Sequence, residues 1–148
     1  MDEDVIDLDE AYMQMAEIWA KRSHCKRKKV GALMVKDGQI ISDGYNGMPT
    51  GFTNCCELDE ETTDPLTLHA ESNTILKLAC STQSSIGATL YQTISPCKEC
   101  AKLIIQAKIK RVVFRDFYRD VTGIATLRSV GITVDRLIKP SQNRLWIT

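Results

Sequence analysis

Two short segments constrain this chain more than anything else in it: His69-Ala70-Glu71 and Ser95-Pro96-Cys97-Lys98-Glu99-Cys100. Zinc takes nitrogen and thiolate ligands, and a zinc that does chemistry keeps one of its four positions open. His69, Cys97 and Cys100 supply three ligands of those types, and Glu71 stands beside them without being needed as a fourth. A spare carboxylate next to an open metal position suits proton transfer. A fold that uses these residues together must bring both segments to one point. Cys-x-x-Cys alone would also fit a redox pair or half of a structural zinc site. The two segments together, in this order and with Pro96 ahead of the first cysteine, favour the catalytic reading.

The 148 residues suffice for one domain with its own core and are too few for two, so residues 1–148 are read as a single domain. Lys plus Arg and Asp plus Glu both number 19, leaving no net charge, which argues against nucleic acid as the main partner. The acidic start, Met1 to Glu10, has neither the basic nor the apolar region of a signal peptide, and no apolar run approaches the ~20 residues that span a membrane. The cytoplasm is therefore expected, the host's if the source is viral. Of six cysteines, two sit in the Cys-x-x-Cys and nothing signals secretion. Metal use in a reducing compartment is expected over disulfides.

Periodicity gives the elements. Leu8, Tyr12, Met15, Ala16 and Trp19 share one helical face, predicting a helix over 8–22 whose apolar stripe is core. Val30 to Val35 reads as a strand, Asp37-Gly38 as a hairpin turn, and Gln39 to Ser42 as the returning strand. The loop Asp43 to Gly51 is dense in Gly, Asn and Pro and continues through Cys55-Cys56 to Asp64, a length usual for functional loops. Asp64-Pro65 reads as a helix start, with Leu68, Ser72, Ile75, Leu76 and Ala79 as its stripe. Ala88 to Thr93 is a strand. Cys97, Cys100, Ala101, Ile104 and Ile105 share a helix face, so both thiols leave the first turn together. Arg111 to Arg115 is a strand, Gly123 to Val130 a helix and Ile132 to Asp135 a last strand. Strands alternating with helices after a hairpin predict an α/β fold, a mixed sheet with helices on both faces.

His-x-Glu followed by Pro-Cys-x-x-Cys is the known signature of zinc nucleobase deaminases, and this chain matches it. With Cys25-Lys26-Arg27-Lys28-Lys29-Val30-Gly31-Ala32, Gly44-Tyr45-Asn46-Gly47-Met48-Pro49-Thr50-Gly51 and Asn54-Cys55-Cys56-Glu57, the chain resembles deoxycytidylate (dCMP) deaminases of the bacterial and phage type over residues 10–137. The resemblance implies a cytidine deaminase-like three-layer sandwich with a five-stranded mixed sheet. It implies zinc-dependent hydrolysis of dCMP to dUMP and ammonia, which supplies dUMP for dTMP synthesis. Zinc would be held by His69, Cys97 and Cys100, and Glu71 would carry protons to N3 and to the leaving amine. Arg27, Tyr118 and Arg119 would hold the phosphate, Asn46 the deoxyribose and base, and the Ser95 carbonyl the substrate amino group.

Relatives of this type form hexamers activated by dCTP and inhibited by dTTP. The resemblance therefore implies a homohexamer with a triphosphate site, Mg²⁺ accompanying the effector, near Gly31, Ala32, Asn46, Gly47 and Phe52. Gly31 and Ala32 would let a nucleotide come close to the backbone. Two departures from the family pattern stand out: Lys108 where relatives usually carry Gly, and His24 where Lys is usual. In some phage relatives, cysteines matching Cys25 and one of Cys55 or Cys56 hold a second, structural zinc. Their further ligands lie in an insertion this chain lacks, and the alternative is buried free thiols. Two rival functions are a deaminase of tRNA or single-stranded nucleic acid and a non-catalytic zinc module. Zero net charge and 6% aromatic content weigh against the first, and Glu71 against the second.

Overall fold

The computed structural model describes residues 4–139; residues 1–3 of the acidic start and 140–148 of the expected single domain lie outside that range. In chain order the elements are α1 (Leu8–Ala20), β1 (Gly31–Lys36), β2 (Gln39–Tyr45), α2 (Ala70–Ala79), β3 (Thr89–Ile94), α3 (Lys98–Gln106), β4 (Arg111–Asp116), α4 (Thr122–Ser129) and β5 (Thr133–Arg136). Asp37 and Gly38 have φ of 51° and 74°, the pair of left-handed residues that a two-residue hairpin matched to strand twist requires. That turn sets Lys36 opposite Gln39 and fixes the β1–β2 register.

The five strands lie in the order β2-β1-β3-β4-β5. β1 is antiparallel to β2 and β3, and β3, β4 and β5 are parallel, so the sheet is mixed, as expected. Strand alternation divides the core in two. Leu33, Val35, Tyr91 and Val113 point to one face, where α1 packs with Tyr12, Met13 and Ala16. Ala32, Met34, Leu90, Val112, Phe114 and Val134 point to the other, under residues of α2, α3 and α4. Helices on both faces give the three-layer arrangement.

Two local readings are corrected. Of the expected α1 core stripe, Tyr12 and Ala16 are buried and Trp19 packs against them, but Leu8 and Met15 are 62% and 41% exposed; Met13 and Ala20 turn inward in their place. α1 carries apolar side chains around much of its circumference, so periodicity alone did not fix which of them meets the sheet. Asp64-Pro65 does not start a helix. Asp64 closes a turn, its Oδ1 accepting from Leu66 N at 2.9 Å and its carbonyl from Thr67 N at 2.9 Å. Leu68 then bridges to Gly47, which holds the chain extended until Ala70.

α1 is also tied to the sheet by charge. Arg115, at 5% side-chain exposure, meets Glu10 at 2.6 Å and Glu17 at 2.8 Å. Arg111 meets Asp9 at 2.9 Å and Asp135 at 3.0 Å. A buried guanidinium requires such partners, because an unpaired one would be strongly destabilising.

Candidate active site

The site is built from two helix beginnings. His69 is the N-cap of α2, with extended backbone (φ −73°, ψ 158°), and Cys97 is the N-cap of α3 (φ −74°, ψ 169°). The Cys97 thiol accepts from Cys100 N at 3.4 Å, so it caps the helix it precedes. His69 Nδ1 lies 3.2 Å from Cys100 Sγ and 3.5 Å from Cys97 Sγ. Ideal tetrahedral zinc would hold such nitrogen–sulfur pairs at about 3.6 Å, from bond lengths near 2.05 and 2.3 Å. The three donors therefore already stand at close to zinc spacing, and among the described residues they are the one cluster of three side chains able to hold a metal ion.

The electrostatics fit a metal centre. A hydrogen bond from Cys100 lowers the Cys97 thiol's pKa well below its usual value, and that shared proton together with burial raises Cys100. Two thiols competing for one proton are relieved when a dication replaces it. His69 is shifted up, chiefly by its hydrogen bond with Cys97. Glu71, 4% exposed and one residue into α2, has its pKa raised by burial. A carboxyl raised in this way holds its proton more readily than one in water, which suits general acid–base work.

A cavity of about 520 Å³ opens from this point. Its wall includes His69, Glu71 and Cys97 together with every residue expected to touch substrate: Arg27, Asn46, Ser95, Tyr118 and Arg119. Ser95 is placed by two bonds, its N–H to the Asp116 carbonyl at 2.8 Å and its Oγ accepting from Tyr118 N at 2.7 Å. Asn46 is placed by the basic run: Oδ1 accepts from Val30 N at 2.9 Å and Nδ2 donates to the Lys28 carbonyl at 2.8 Å. Its amide N–H bonds are thus partly spent on backbone, and Oδ1 keeps one lone pair for another donor. Arg119 lies 5.6 Å from the Tyr118 ring centroid.

Other wall residues escaped the sequence reading. Lys28 reaches the cavity, its Nζ 5.0 Å from the Tyr118 ring. Glu57 accepts from Lys26 N at 2.7 Å and Arg27 N at 3.0 Å, and Thr63 accepts from Arg27 Nη1 at 3.1 Å. These contacts cross 30 or more residues, and no local pattern announces them.

A second cavity of about 520 Å³ is lined by Trp19, His24, Asp43, Asn46, Gly47 and Lys77 among others. Asn46 and Gly47, two of the five expected effector residues, belong to it. Phe52 is not in its wall and is 55% exposed. Gly31 and Ala32 require a correction. A Cβ on Gly31 would fall 1.9 Å from the Ala16 carbonyl oxygen, and Ala32 is fully buried. The missing side chain makes room for α1, not for a nucleotide.

Cys25 and Cys56 are joined in a disulfide, while Cys55 is exposed with its Sγ 3.3 Å from the Glu57 carbonyl. This overturns both the reading of buried free thiols and a second zinc on Cys25 with Cys55 or Cys56. It also runs against the expectation of metal use over disulfides for these cysteines. His24 lies in the wall of the second cavity.

A sheet of this order, with three zinc-type donors and a buried glutamate at two helix starts, defines a zinc-dependent deaminase site. Residues 6–116 match the family described as the cytidine and deoxycytidylate deaminase zinc-binding region, and the chain belongs to that family. Among its relatives, the deoxycytidylate deaminase of Enterobacteria phage T4 is 34% identical, over 90% of this chain and 91% of its own length. The human deoxycytidylate deaminase is 37% identical, over 92% of this chain and 83% of its own. The crystal structure of dCMP deaminase from cyanophage S-TIM5, in complex with dCMP and dUMP, is similar at a TM-score of 0.85 and 46% identity. That match covers 90% of this chain and 100% of the cyanophage chain. No helix among the described residues is long and apolar enough to cross a membrane.

Proposed function

We propose that this chain hydrolyses dCMP to dUMP and ammonia and so supplies dUMP for dTMP synthesis. The observation that carries the reading is that one cavity holds His69, Cys97 and Glu71 as well as the cations Arg27, Lys28 and Arg119. A nucleoside monophosphate has that same division: a base to be changed and a dianion to be held. Zinc, when bound by His69, Cys97 and Cys100, supplies a Lewis acid that makes water nucleophilic near neutral pH. Glu71 accepts the water proton and delivers it to pyrimidine N3. Once that oxygen is bonded to C4, Glu71 takes its second proton and passes it to the C4 amine; the C4–N bond breaks, the amine leaves as ammonia, and the oxygen stays as the C4 carbonyl. The Ser95 carbonyl accepts from that amine, and Asn46 orients the sugar. The cyanophage relative's complex with dCMP and dUMP supports this substrate and product.

Arg119→Ala tests the reading. A charged hydrogen bond is worth about 1.5–3 kcal/mol, so kcat/KM for dCMP should fall roughly ten- to a hundred-fold, with little change for deoxycytidine. Equal losses on both would show that Arg119 does not read phosphate. Wild-type turnover of a single-stranded oligonucleotide but not of dCMP would favour the nucleic-acid reading instead.

A regulatory reading has its own support. Asn46 lines both cavities, and Gly47 lines the second. A dCTP bound with Mg²⁺ in the second cavity, or a dTTP competing there, would act on the residue that orients substrate. Exposed Leu8, Met15 and Ile18 along α1 support a homo-oligomer, with a hexamer as the expected form.

A further inference from the structure

The Cys97 turn has a backing that the mechanism does not use. α4 begins just behind it, and Gly123, in the first turn of α4, is buried. A Cβ on Gly123 would lie 2.2 Å from the Pro96 carbonyl oxygen and 2.9 Å from both the carbonyl carbon and oxygen of Cys97. All three are backbone atoms, so no flexible side chain could yield. Ordinary contact needs about 3.5 Å, so an added methyl would have to push α4 and the turn apart by roughly 1 Å.

The turn has little freedom to absorb such a push. The Cys97 carbonyl accepts the first α3 bond, from Ala101 N at 2.9 Å, and its thiol accepts from Cys100 N. Shifting this peptide therefore shifts the Cys97 sulfur relative to Cys100 and His69. Metal ligands tolerate only about 0.2 Å. We propose that Gly123 is a positioning residue for zinc: its bare backbone lets α4 act as the stop that fixes the Cys97 thiol at ligand distance. This role holds whichever nucleotide is the substrate.

The test is zinc affinity by chelator competition on the folded full chain, with the ligand-field spectrum of the cobalt(II)-substituted protein as a second readout. Gly123→Ala should bind zinc ~10–100-fold more weakly, the range seen when groups supporting a ligand are disturbed, and should alter the cobalt spectrum. Leu33→Ala, in the core on the opposite face of the sheet, is the control: it should lower the melting temperature and leave zinc affinity unchanged. If Gly123→Ala does not fold, Ile124→Ala loosens the first turn of α4 without adding an atom against Pro96. It should then weaken zinc several-fold more than Leu33→Ala does. Wild-type zinc affinity and cobalt spectrum in Gly123→Ala, or in Ile124→Ala where that variant is used, would overturn the proposal and leave the deamination reading intact.

Discussion

Glu71 shows how burial sets a residue's chemistry. In water a glutamate is ionised at neutral pH, but here desolvation favours the protonated form, while the nearby His69 and the Cys100 hydrogen bond favour the charged one. Burial is the larger effect, so the carboxyl takes up a proton more readily than it would in water. Glu71→Gln keeps the shape and the hydrogen-bonding capacity but not the exchange. We expect that variant to retain zinc and fold and to lose ~10²–10⁴-fold in turnover, read by steady-state rates alongside metal analysis. Turnover within a few-fold of wild type would remove Glu71 from the proton path.

At the scale of elements, α3 illustrates a helix that begins on function and ends on strain. It starts with the Cys97 cap and finishes in a Schellman motif, Lys108 N donating to the Ile105 carbonyl at 3.0 Å and Ile109 N to the Ile104 carbonyl at 3.4 Å. The motif needs a left-handed residue, and Lys108 has φ of 59°. A side chain there costs on the order of 1 kcal/mol, which glycine would not incur. Lys108→Gly should therefore raise the melting temperature by roughly 2–4 °C for a chain of this size, with kcat unchanged. A lower melting temperature would mean that the lysine side chain more than offsets its backbone strain.

For the whole molecule, the question is whether the two cavities communicate. Asn46 is their shared wall, and its side chain also fixes the basic run through Val30 and Lys28. A ligand in one cavity that prefers one Asn46 arrangement would shift the other by its differential affinity and no more. In a symmetric oligomer the expected result is a Hill coefficient for dCMP above one, falling toward one with dCTP and Mg²⁺, and dTTP opposing the change. Superimposable hyperbolic curves in all three conditions would leave an unregulated enzyme.

The residues of the candidate site are legible in the sequence. His69, Glu71, Cys97 and Cys100 are set by ligand type and short spacing, Asp37-Gly38 by turn geometry, and Lys108 by departure from a family pattern. The short motifs and the turn are local properties, each encoded within a few residues; Lys108 stands out only against the family pattern. Tertiary structure alone decided which side of α1 meets the sheet, why Gly31 has no side chain, and that Cys25 pairs with Cys56. It alone brought Glu57 and Thr63 to Arg27, and Arg115 to Glu10 across 105 residues. Those outcomes depend on what another segment places in the same space. Burial and backbone contact are settled between segments distant in sequence, so no spacing within one of them records the result.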